Sequence, residues 1–216
     1  MKMKIRNEKK ADYREVEELL RDAFWDLYVP GCVEHYVAHV VREHPDFIPE
    51  LDLVLETEEG IIGSILYTKA KLVDAEGNQK DILTFGPVAI RPGYQRKGYG
   101  KALIEHSFEK AIALEYDVVV IFGNPANYVG RGFQSCKKHQ VSLENGRYPA
   151  AMLVKELRPG ALEGKNWIYY DSPAYRVEED AIEAFDRTFA PPRDDISSKS
   201  GGILHPQPFL LSLIHI

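Results

Sequence analysis

The residues Gln95-Arg96-Lys97-Gly98-Tyr99-Gly100 have the types and order needed to hold a phosphate. They follow an apolar run, Val88-Ala89-Ile90, that ends at Arg91-Pro92, and a helical pattern begins inside them. A helix N-terminus presents unpaired backbone N–H groups and a partial positive charge. Glycines let the main chain approach an anion closely. Arg96, Lys97 and Lys101 add formal positive charge around the turn. A Walker A loop is excluded, because Gly93 to Gly98 has its spacing but Tyr99 stands where that loop needs lysine. A dinucleotide loop is excluded as well, since Leu103 stands at its third glycine position.

Other chemistries have weaker support. Cys136 has no neighbouring His/Asp pattern that would activate it, and His139 is isolated. The seven histidines and two cysteines show no metal-ligand spacing, so no metal is expected. Cys32 and Cys136 could pair, but two cysteines in a chain of this size are more often reduced and partly buried. The formal net charge of -6 gives no general attraction to nucleic acid or an anionic membrane, and neither is expected as a partner. The basic start MKMKIRNEKK is followed by no apolar run, so it does not read as a secretory signal. A cytoplasmic location is expected.

The elements that position the turn can be read from the pattern. Residues 3–6 suggest a first strand. Asp12 is expected to cap a helix bearing Val16, Leu19, Leu20, Ala23 and Phe24, with Glu15 completing a capping box. A second helix is expected over 33–43, ended by Pro45. Strands are expected over 51–56, 61–70 and 81–90. A helix over 98–114 would bury Ala102, Leu103, Phe108, Ala111 and Ile112. The all-apolar 118–122 suits a central parallel strand. Together these make a βαβ unit with the glycine turn at the carboxyl end of its first strand, where open α/β sheets bind ligands. A short helix over 124–129, a strand over 150–157 and a helix over 178–189 complete the reading.

The turn matches Gln/Arg-x-x-Gly-x-Gly/Ala, and the chain here resembles the GCN5-related N-acetyltransferase (GNAT) superfamily, in particular its YhbS-like branch. Gly86-Pro87-Val88-Ala89-Ile90, Pro92-Gly93-Tyr94-Gln95, and Gly123-Asn124-Pro125-Ala126-Asn127-Tyr128 followed by Gly132-Phe133 carry the resemblance over about residues 3–157. It implies the GNAT acyl-CoA N-acyltransferase fold, an α/β fold with a mixed, twisted central sheet flanked by helices. It also implies acetyl-CoA as cosubstrate, with its pyrophosphate on the loop Gln95, Arg96, Lys97, Gly98, Tyr99, Gly100 and Lys101. Val88, Ala89 and Ile90 would line the pantetheine arm, and a backbone N–H there would polarise the thioester. Tyr128, five positions before Phe133, would be the acid that protonates the leaving thiolate. Asn124 either bonds the pantetheine or caps the short helix. Asn127 departs from the branch, which often has an aromatic there.

The reaction so implied is direct transfer of acetyl to a primary amine of a small molecule or peptide. A non-catalytic acyl-CoA-binding sensor is the alternative, and a longer acyl group is also open. No general base is singled out among Glu43, His44, Asp46, His35 and His39. The domain is expected over 1–157, with an extension over 158–190 that either covers the acceptor site or completes a homodimer, and a weakly patterned tail over 191–216. Trp25, Tyr28, Trp167, Tyr169 and Tyr170 either line an acceptor site or serve as core and interface aromatics.

Overall fold

A computed structural model describes residues 3–27 and 31–190. The expected tail and Tyr28 lie outside the described residues. A short strand β1 (Lys4–Asn7) leads to two helices, α1 (Tyr13–Phe24) and α2 (Glu34–Val41). Three antiparallel strands follow: β2 (Leu53–Thr57), β3 (Gly60–Asp74) and β4 (Gln79–Ile90). Helix α3 (Tyr99–Ala113) crosses to β5 (Val118–Phe122), which pairs parallel to β4. This is the βαβ unit that the patterning predicts. The one-turn helix α4 (Pro125–Tyr128), short strands β6 (Gln134–Ser135) and β7 (Val141–Ser142), and β8 (Met152–Glu156) come next. Strand β9 (Trp167–Tyr170) and helix α5 (Glu179–Asp186) end the described chain. Among the described residues the sheet runs β1-β2-β3-β4-β5-β8-β6, and β9 joins β3 to β7.

The length of β3 organises the molecule. Its first half, from Gly60 to Ile65, pairs with β2, and its second half, from Lys71 to Asp74, pairs with β9. Residues beyond the matched motifs therefore complete the same sheet. Alternation along β4 and β5 sends Leu83, Phe85, Val119 and Ile121 into one apolar cluster, and Ile82, Val118, Val120 and Phe122 into a second. Tyr67 bonds Ser107 of α3 at 2.7 Å, while the next residue, Thr68, reaches Tyr175. Tyr175 thus lies on the sheet face away from α3.

Two local expectations are corrected. The Asp12 side chain does not cap α1; it accepts from the backbone N–H of Lys9 at 2.8 Å and pairs with Arg6 at 2.6 Å. Glu15 accepts instead from the backbone N–H of Ile61 at 3.0 Å, so a cross-element contact replaces the local box. On α3 the buried positions are Gly100, Leu103, Ile104, Ser107, Phe108 and Ala111, whereas Ile112 is exposed and Ala102 only half-buried.

Candidate active site

Strands β4 and β5 meet through one register pair, Leu83 with Val119, and then part. At the same level the pairing of β4 with β3 is interrupted. Pro87 has no N–H to donate to a ladder. Opposite Gly86-Pro87 the β3 register shifts between Ile65 and Tyr67, so two residues of β4 face one of β3. Beyond this bulge, Val88, Ala89 and Ile90 stay paired to Ile65, Ser64 and Gly63 on one side only. Arg91 N–H donates to Ile62 O at 2.8 Å, which sets the alternation. Ala89 therefore faces β3 with its backbone groups, and the N–H groups of Val88 and Ile90 face the opening beside β5. The side chain of Gln95 donates to Ile90 O at 2.9 Å, tying the turn to the end of the strand.

The turn itself is built on positive φ angles: Gly93 at 81°, Arg96 at 60° and Gly98 at 89°. A Cβ on Gly93 or Gly98 would meet nothing within 4 Å, so glycine is needed there for conformation rather than for space. Gly98 is the N-cap of α3, and its carbonyl accepts from Ala102 N–H at 3.1 Å. Arg96, Lys97, Gly98 and Lys101 are exposed, Tyr99 is half-buried and Gly100 is buried. Lys97 is partly engaged, donating to Gly93 O at 2.7 Å, and Lys101 lies 3.7 Å from Glu105. The predicted cofactor residues other than Asn124 thus lie together at the carboxyl end of β4 and the start of α3.

Asn124 Oδ1 accepts from Ala126 N–H at 3.0 Å, so it caps α4. Tyr128 closes that helix and is fully buried, with its ring centroid 5.6 Å from Phe133 and 6.1 Å from Phe85. The five-residue spacing is held by Gly132, whose φ is 85° and where a Cβ would stand 2.6 Å from Lys155 Nζ. Phe85 belongs to β4, so Tyr128 packs against the strand that lines the opening.

The candidate bases separate. His35 and His39 pack against Phe185 of α5. His44 accepts from Asp46 N–H at 3.1 Å, and Asp46 accepts from Ser172 Oγ at 2.7 Å. The aromatics separate too. Arg21 lies over the Trp25 ring at 4.3 Å, and Trp167 is buried in the second apolar cluster. Tyr169 and Tyr170, however, line a cavity of about 660 Å³ together with Phe122. Asp171, Ser172 and Tyr175 share its wall. These three lie in a stretch with no periodicity to flag them from sequence. Cys32 Sγ lies 3.2 Å from His35 Nδ1, and His35 Nε2 lies 3.2 Å from Asp186. Burial raises the Cys32 thiol well above its usual range, which suits a packed clamp and not a thiolate nucleophile. No cluster of three or more potential metal ligands occurs among the described residues.

A mixed sheet that opens along a bulged strand, with an anion-ready turn at the mouth, is the architecture of an acyl-CoA N-acyltransferase. The acetyltransferase (GNAT) family model matches residues 14–133, more than half of the chain, and the chain belongs to that family. Among curated proteins it is similar to the uncharacterized N-acetyltransferase YhbS of Escherichia coli strain K12, at 28% identity over 163 residues, covering 75% of this chain and 92% of the relative. The crystal structure of Escherichia coli YhbS in complex with CoA superposes with a TM-score of 0.69 at 25% identity, over 82% of this chain and 94% of that one. A Brucella melitensis GNAT acetyltransferase solved with acetyl-CoA shares the fold, with a TM-score of 0.63 at 20% identity over 81% of this chain and 99% of that one.

Proposed function

We propose that the protein transfers an acetyl group from acetyl-CoA to a primary amine by direct attack, and that it is of the YhbS type. The observation that carries this reading is the opening between β4 and β5, with the glycine turn at its mouth. Two backbone N–H groups face into it, those of Val88 and Ile90. A pantetheine arm carries amides that can pair with such an edge as an added strand would. The backbone amides from Gln95 to Gly100, the N-terminus of α3, and Arg96, Lys97 and Lys101 meet the pyrophosphate. The bound forms of both structural relatives point the same way.

Within this reading an edge N–H of β4 donates to the thioester oxygen and stabilises the charge that develops there. The amine nitrogen forms the C–N bond, and the C–S bond breaks. Tyr128 delivers a proton to the departing sulfur, the part of a positioned general acid. Asn124 serves the site indirectly by capping α4, which carries Tyr128.

Calorimetric titration with acetyl-CoA, with desulfo-CoA and ATP as controls, tests the reading. Selective binding of the two CoA ligands is expected, together with thiol release when amines are added. Equal affinity for ATP, or no binding by folded protein, would remove it. Tight binding without turnover across a broad amine panel would favour the sensor.

A further inference from the structure

The cavity shared by Phe122 and the extension has a composition of its own. Phe122, Tyr169, Tyr170, Tyr175, Leu143 and Val177 supply aromatic and apolar surface, and Asp171 stands among them. By the Leu83–Val119 register, Phe122 is level with Gly86, where β4 leaves β5. The cavity wall thus reaches the level at which the strands part. Because Tyr175 belongs to the sheet face away from α3, the cavity approaches that opening from the side opposite the helix that begins at the glycine turn.

Asp171 is held in a defined way. Tyr169 OH donates to its Oδ1 at 2.9 Å and Ser172 N–H donates to the same oxygen at 2.8 Å. Among the described residues no donor takes Oδ2. The other charged and titratable groups around it are Arg176, Tyr175, Glu144 beside Tyr170, and Asp46 through Ser172.

We propose that this cavity is the acceptor site and that Asp171 receives the ammonium group of the substrate through Oδ2 and takes its proton, the acceptor being a primary amine on an aromatic or apolar body. The inference rests on the acetyl-transfer reading above. The ammonium gives one proton to the carboxylate, which returns it to solvent. The neutral nitrogen forms the C–N bond and the C–S bond breaks. The second proton lost by nitrogen balances the one that Tyr128 delivers to sulfur. Burial pushes the Asp171 carboxyl up to about 6, with the Tyr169 hydrogen bond opposing. The group is then still an anion at pH 7, and a better base than an ordinary carboxylate. The aromatic wall matches the body of the amine and gives a cation nearby a favourable π surface.

Acetyl-CoA binding by calorimetry and thiol release with phenethylamine, tyramine and spermidine, from pH 5 to 9, test the proposal on wild type, Asp171→Asn and Tyr170→Ala. Phenethylamine and tyramine should be acetylated by wild type, with kcat/KM falling below about pH 6. Asp171→Asn should bind acetyl-CoA within twofold of wild type, lose at least tenfold in kcat/KM and lose that acidic limb. Tyr170→Ala, at the half-buried rim, should raise the KM for the aryl amines and leave acetyl-CoA affinity alone. Full activity of Asp171→Asn with an unchanged pH profile overturns the assignment of Asp171. Turnover of spermidine alone, or of none of the amines by protein that binds acetyl-CoA, overturns the acceptor class. Failure of wild type to bind acetyl-CoA removes the transfer reading itself, and this inference with it.

Discussion

In the proposed reaction Gly98 shapes the turn and Tyr128 supplies a proton. Gly98 holds φ at 89°, a region that costs an L-residue about 1–2 kcal/mol. Since a Cβ there meets no neighbour, Gly98→Ala should fold and misdirect the first amides of α3. A roughly tenfold loss of acetyl-CoA affinity is expected from that conformational cost, read by calorimetry. Affinity equal to wild type would sever the turn from phosphate binding. Tyr128→Phe removes only the hydroxyl and keeps the ring packed on Phe85 and Phe133. Loss of a general acid predicts a fall in kcat of about 10² or more with acetyl-CoA affinity retained. A variant with undiminished kcat would assign the tyrosine to packing. The conformational need at Gly98 was legible in sequence because glycine reports a backbone requirement, whereas the role of Tyr128 comes from the family resemblance that its spacing to Phe133 carries. Asp171 was not legible: a lone acid acquires meaning only from the walls around it.

At the level of elements, α1, α2 and β1 are joined by a buried ion network. Arg42, just beyond α2, donates to both oxygens of Glu8 at 2.8 and 3.0 Å and to Glu17 at 3.0 Å. Arg42 and Glu8 side chains are essentially sealed from solvent. Arg42→Leu would leave two buried carboxylates without their cation, a loss of about 3–5 kcal/mol. Chemical denaturation should show it, and a loss below about 1 kcal/mol would mean that water replaces the guanidinium. Nothing in the periodicity of α1 and α2 announces this network, whose partners lie far apart in the chain. The same limit explains Asp12 and Glu15. Their spacing fits a local capping box, yet Arg6 and the Ile61 amide are the stronger partners once the sheet is built. Ile112 shows the complementary limit. Its type suits a core, but the i, i+3, i+4 stripe from Gly100 to Ala111 passes it by.

Over the whole molecule the extension is bound at both ends, by β9 on the second half of β3 and by α5 on α1. Arg21 reaches Asp186 at 2.7 Å and Arg14 donates to the Thr188 hydroxyl at 3.1 Å. Burial pushes the enclosed His35 down to about 4, with Asp186 opposing. A histidine lowered on folding contributes stability that is fully present above its unfolded value near 6.5 and is lost as pH falls towards 4. Asp171 acts in the opposite sense: its raised value contributes stability below about 4 that is lost as pH rises through about 6. The thermal midpoint of wild type should therefore fall more steeply from pH 6.5 to 4 than that of His35→Phe. Parallel profiles would show that His35 does not titrate with unfolding.

The sequence by itself determined the βαβ unit, the glycine turn and the spacing of the Tyr-to-Phe loop. Each of these is a property of consecutive residues: a positive φ at glycine, a period of 2 or 3.6. Tertiary structure alone decided that residues 167–170 extend β3, that the extension walls a cavity reaching Phe122, and that Asp171 lines it. Those outcomes depend on pairings between residues about a hundred positions apart. Such pairings leave little mark on local pattern, because a strand's side chains report which face is buried and not which neighbour its backbone will choose.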